Sequence, residues 1–138
     1  MEITIDKIIG KTVKSVTGEI GSGDLTLKFT DGTIAYFYHS QDCCEDVSID
    51  DIVGDTISMV GQKLLKASIK VSENCGNTPK HSYEDDSYTW TFLTLATIKG
   101  YVDVKFYGSS NGYYGEDIDI GITDSSGTTT LAAYNNYQ

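Results

Sequence analysis

At 138 residues the chain has room for one domain with a sizeable core. Twenty acidic residues against ten basic ones give a formal net charge of −10, which disfavours duplex nucleic acid and anionic membranes as partners. All ten basic residues are lysine, so no guanidinium fork is present to grip a phosphate or carboxylate, while ten Tyr, four Phe and one Trp offer rigid, polar-tipped area for stacking or for a partner.

The opening MEITIDKIIGK shows no charged segment leading into an apolar one, and no apolar run approaches transmembrane length. The expectation is a soluble intracellular protein. A strand is expected over 12–17, anchored by Val13 and Val16, then a loop over 18–23. Residues 24–30 and 33–39 read as a hairpin turning at Asp31-Gly32, a strong short-range hairpin signal. A tight turn there pairs Leu27 with Tyr36, Phe29 with Ile34 and Leu25 with Tyr38 on a core face. Ala35, Phe37 and His39 then fall on the opposite face.

The run HSQDCCEDVSIDDIVGD, residues 39–55, is the densest in reactive side chains. His39, Asp42, Cys43, Cys44 and Glu45 are metal-ligating types, but adjacent cysteines without a C-x-x-C pair do not suit one tetrahedral ion. No metal and no cofactor are expected. A Cys–His nucleophile is opposed by Asp42, Glu45 and Asp46, which raise a thiol pKa. The structural alternative hydrogen-bonds His39 to a loop carboxylate, with one Cys in the core and the other partly exposed. An odd cysteine count with two neighbours argues against a disulfide framework and for a reducing compartment.

Asp55 reads as the N-cap of one short helix stopped at Gly61, followed by a strand over 64–71. Residues 73–87 read as a mobile loop on composition, with His81 or Tyr83 placed to fold over a ligand as a lid. From Tyr88 two strands are expected around a turn at Lys99-Gly100, pairing Leu95 with Val104 and Leu93 with Phe106 on a core face. The other face carries Ala96, Asp103, Thr94 and Lys105, then turns aromatic at Phe92, Tyr107 and Trp90.

Asn111-Gly112 looks like a tight turn, yet that register sets Ile118, Ile120 and Ile122 opposite to Val104 and Phe106. A wider loop over 108–116 restores the match, with Ile118 beside Phe106 and Ile120 beside Val104. Ser109, Ser110, Asn111, Tyr113 and Tyr114 then sit near Trp90 at the end of the sheet, as a binding loop or as a solvated hairpin tip. The expected class is mainly β: a sheet, sandwich-like or partly open barrel of about six to eight strands with one short helix. Residues 1–122 form the single domain, and 123–138 a polar tail or added edge strand. No phosphate loop, G-x-S-x-G, H-E-x-x-H or EF-hand pattern is present.

The stretches HSQDCCEDVSIDDIVGD and SYTWTF…ATIKG…YGSSNGYYGE resemble a small domain family of unknown function that recurs in bacteriophage and prophage genomes, over roughly residues 8–122. The resemblance implies a phage protein in the cytoplasm of a bacterial host, with no established activity. By class analogy such proteins include anti-defence sponges that sequester nucleotide immune signals, for example the cyclic ADP-ribose derivatives of Thoeris systems. The leading expectation is therefore a non-enzymatic protein binding a small nucleotide-like ligand through His39, Asp42, Glu45, Trp90, Tyr107, Ser109, Ser110, Asn111, Tyr113 and Tyr114. An acidic protein-binding inhibitor and a thiol- or metal-dependent hydrolase are the alternatives. Uncovered Phe92, Trp90, Tyr107 and Phe37 further suggest a homodimer or higher homo-oligomer.

Overall fold

Period-two alternation of apolar and polar residues produces ten strands and two single turns of 3-10 helix in the computed structural model, which describes residues 3–41, 44–73, 87–110 and 116–134. In chain order the strands are β1 (Ile3–Thr4), β2 (Val13–Thr17), β3 (Leu25–Phe29), β4 (Ile34–Tyr38) and β5 (Asp46–Val53). They continue as β6 (Lys66–Glu73), β7 (Ser87–Thr97), β8 (Gly100–Ser110), β9 (Asp119–Thr123) and β10 (Thr129–Ala133). One sheet has six strands in the order β1-β10-β9-β4-β3-β2, the other four in the order β5-β8-β7-β6. β1 and β10 pair in parallel, and the other neighbouring strands of the described residues pair antiparallel. Among the described residues the fold is thus mainly β, with two sheets and no closed barrel. One buried cluster draws Phe29, Phe37 and Ile120 from the first sheet and Leu93, Val104 and Phe106 from the second.

The expected helix after Asp55 is a single 3-10 turn, Thr56–Met59, capped by the Asp55 carboxylate accepting from Ile57 N–H at 3.0 Å. A second such turn spans Ile5–Ile8. Near the first of these, Val13 N–H of β2 donates to Gln62 and Leu65 N–H donates to Ala96 of β7, so one short segment fastens both sheets at this end.

The β7–β8 hairpin turns at Ile98-Lys99, not Lys99-Gly100, and pairs Leu93 with Val104, Leu95 with Val102 and Thr91 with Phe106. The displacement is an even number of residues, so every side chain keeps its expected face. The β3–β4 hairpin differs by an odd one. Leu25 pairs with Phe37, Leu27 with Ala35 and Lys28 with Ile34. The cause lies in the turn. Gly32 N–H donates to Phe29 while Phe29 N–H donates to Thr33, and Gly32 takes φ +93, which gives a three-residue loop ending in a glycine bulge. The added residue turns β4 over, so Ala35 and Phe37 are fully buried and Tyr36 and Tyr38 face outward, half-buried.

The expected pairing of β8 with Ile118–Ile122 is also overturned. β8 lies between β5 and β7, whereas β9 pairs with β4 and β10 in the other sheet. The chain therefore passes from one sheet to the other between β8 and β9, and Ile118 and Ile120 share the core cluster with Phe106 rather than a ladder. β5 is a strand that its half-polar sequence DVSIDDIV conceals, and a register shift between Ile49 and Asp51 interrupts its alternation.

Candidate functional site

Where β7 begins and β8 ends, polar side chains are buried against the core face. Gly108 has no Cβ because Glu116 occupies that space: an added Cβ would lie 2.8 Å from the Glu116 Cβ and 3.0 Å from Val47 Cγ2. Glu116 is only 5% exposed, and its carboxylate accepts from the Thr89 hydroxyl at 2.7 Å and the Ser110 hydroxyl at 2.5 Å. The next residue, Asp117, offers its carbonyl to His39 Nδ1 at 2.6 Å, while His39 Nε2 lies 2.8 Å from the Glu45 carboxylate.

The Asp117 carbonyl can only accept, so with an ionised Glu45 both ring nitrogens of His39 carry protons and the imidazole is a cation. Burial pulls the His39 pKa down, but the Asp117 carbonyl and the Glu45 carboxylate outweigh it and hold the pKa above the ordinary 6.5. The side chains of His39 and Glu45 are 6% and 0% exposed. His39 follows β4, Asp117 precedes β9 and Glu45 precedes β5, so the pair ties the two sheets together. Its geometry is that of a structural clamp.

The opposite face of the same hairpin is aromatic. Trp90 pairs with Tyr107 between Ser72 and the neighbouring Ser48, and the next row sets Phe92 between Lys70 and Lys105. Trp90 meets Tyr107 edge-on with centroids 4.7 Å apart, and Tyr88 stacks near Tyr107 at 6.3 Å. Trp90 and Phe92 stand nearly parallel, at 14°, with centroids 6.4 Å apart. Tyr88 and Tyr107 are buried, so Trp90 and Phe92, both half-buried, present the accessible rings. Further along this face Lys66 sits 5.9 Å above the exposed Tyr101 ring.

The structure therefore divides the expected site. Trp90, Tyr107 and Ser109 take the outer face of β7–β8, and Ser110 takes the core face with Glu116. His39 and Glu45 join each other at the buried end, as the loop-carboxylate alternative describes. Phe37, expected on the aromatic face, is in the core of the other sheet. Asp42, Asn111, Tyr113 and Tyr114, and the lid expected over 73–87 apart from its terminal residues, lie outside the described residues. Glu116, Lys70 and Lys105 did not emerge as site residues from sequence. The alternation of β6 and β8 marks the two lysines as same-face neighbours of Phe92, but no local signal marks Glu116.

Cys44 is disulfide-bonded, with its partner outside the described residues. That overturns the expectation of free cysteines and removes its support for a reducing compartment; it also leaves Cys44 without the thiolate that a nucleophile needs. Among the described residues no three or more His, Cys, Asp or Glu side chains are grouped to hold a metal ion, and no helix is long and apolar enough to cross a membrane.

A family model described as a domain of unknown function, DUF7448, matches residues 6–120, close to the 8–122 span of the resemblance above. No curated protein matches the chain. No solved structure matches it either.

Proposed function

The chain belongs to the DUF7448 family, and from that premise we propose that it is a non-enzymatic protein that binds and sequesters a small nucleotide-like ligand on the outer face of the four-stranded sheet. The observation that carries the reading is the pair Trp90 and Phe92, parallel within 14° and 6.4 Å apart, in a row set that also holds Lys70 and Lys105. Two optimal carbon–carbon contacts span roughly 7 Å, so a planar ring enters between these side chains after a small rotamer adjustment. Lys70 and Lys105 then neutralise a phosphate as point charges, the role left to lysine where arginine is absent. Ser48 and Ser72 supply hydroxyls beside the Trp90 row. In the phage setting that the resemblance implies, such a ligand is a nucleotide immune signal, a cyclic ADP-ribose derivative or a cyclic oligonucleotide.

Trp90 is the single tryptophan, so its fluorescence reports a stacked base directly. Titration with cyclic ADP-ribose isomers and cyclic oligonucleotides is expected to quench it and to release heat in calorimetry. Phe92→Ala and a Lys70→Glu, Lys105→Glu double variant are expected to weaken binding by roughly tenfold or more. Folded protein that gives neither quenching nor heat with any of these compounds ends the proposal.

A further inference from the structure

On the other sheet, and on its outer face, a groove of about 290 Å³ is lined by Asp24, Tyr36, Tyr38, Gly121 and Thr129. Its floor is Gly121, which pairs with Tyr36 on one side and Leu131 on the other. A Cβ at Gly121 would reach the Tyr38 ring at 3.6 Å and the Tyr36 ring and Thr129 methyl at 3.8 Å, so the missing side chain is what opens the groove. Tyr36 and Tyr38 alternate onto this face because the glycine bulge at Gly32 turns β4 over.

One carboxylate lines the groove, that of Asp24, which precedes β3. A second, that of Asp119, pairs in register with Tyr38 and accepts from Ser40 N–H at 3.3 Å, outside the lining. The lysine of this face nearest in register, Lys28, pairs with Ile34 and does not line the groove. An anion is therefore disfavoured locally by the carboxylates and globally by the −10 charge. A neutral sugar needs several directional polar partners, whereas the walls are mainly aromatic ring, methyl and glycine backbone. A cation with an apolar shell satisfies all three features: aromatic rings, an alkyl-compatible floor and a nearby negative charge.

We propose that this groove binds an alkylammonium group of the quaternary-ammonium class, held by cation–π contact with Tyr36 and Tyr38 and by the Asp24 carboxylate. The site is separate from the Trp90 face and stands whether or not that face binds a nucleotide.

NMR titration of the wild type with tetramethylammonium and choline, against 3,3-dimethylbutan-1-ol as the neutral isostere of choline, tests it. The expected result is amide shifts at Tyr36, Tyr38 and Gly121 with the cations, and a response to the neutral compound weaker by roughly tenfold or more. Asp24→Asn is expected to weaken cation binding about tenfold. Gly121→Val, whose side chain enters the groove, abolishes it without loss of fold, and Tyr38→Ala provides a second disruption if the valine variant does not fold. No shift in folded wild type with either cation, equal response to the neutral isostere, or shifts confined to another face overturns the assignment.

Discussion

His39 is the residue whose chemistry is most constrained by its surroundings. Its two acceptors, the Asp117 carbonyl and the Glu45 carboxylate, favour the charged ring and raise its pKa above 6.5. The unfolded chain lacks these partners, so the clamp contributes in full below about pH 6.5 and its contribution is lost as pH rises through the folded-state pKa. Asp31 behaves oppositely. Its pKa is lowered to about 2, chiefly by the Lys11 ammonium at 2.6 Å, so its exposed pairing is lost only toward strong acid. Denaturant unfolding at pH 6 and pH 9 is therefore expected to show lower stability at the higher pH. His39→Ala leaves the Glu45 carboxylate buried without its cation, which costs about 3 kcal/mol at pH 6. A variant as stable as wild type at pH 6, or one that keeps the whole pH 6 to 9 decline, contradicts the clamp.

At the scale of elements, register separates what local pattern reveals from what it hides. Phe37 is fully buried and Tyr36 half-exposed, the reverse of a tight-turn reading of Asp31-Gly32. Phe37→Ala is expected to cost about 3–5 kcal/mol, and Tyr36→Ala markedly less, because only the former opens a core cavity. Comparable losses in a chemical denaturation series contradict the register. The strands β2, β3, β4, β7 and β8 were legible because alternation and turn residues are local signals, and the even displacement in β7–β8 spares its faces. The β3–β4 slip was not, because D-G fits both a two-residue turn and a longer loop with a bulge. Nor was the transfer of the 118–122 strand to the other sheet, which is a choice between equally apolar edges separated by long chain segments. The candidate site follows the same division. The His39–Glu45 contact and the shared outer face of Trp90, Phe92 and Tyr107 were legible from proximity in the chain and from alternation, whereas the expected register set Phe92, not Trp90, opposite Tyr107. The burial of Glu116 over Gly108 rests on that same transfer, so a glutamate between Gly115 and Asp117 carried no mark of it.

Charge acts on the molecule as a whole. A −10 protein repels an anionic ligand at distances where Lys66, Lys70 and Lys105 are not resolved from the rest of the surface. On the same face Asp51 pairs with Lys105, and Asp103 accepts from the Thr94 hydroxyl at 2.7 Å, so the local field is close to balanced. Long-range repulsion therefore dominates encounter, while short-range lysine contacts act only after docking. The Debye length shrinks from about 30 Å at 0.01 M salt to about 8 Å at 0.15 M, which removes the repulsion across most of the approach path. For a nucleotide captured on the Trp90 face, the association rate is expected to rise a few-fold over that range, against the usual fall for oppositely charged partners. The dissociation rate should rise as well, because salt weakens exposed lysine–phosphate contacts. Stopped-flow quenching of Trp90 at the two ionic strengths separates the rates. An association rate that falls with salt would mean that the three lysines steer the ligand, so that the local face, and not the net charge, governs capture.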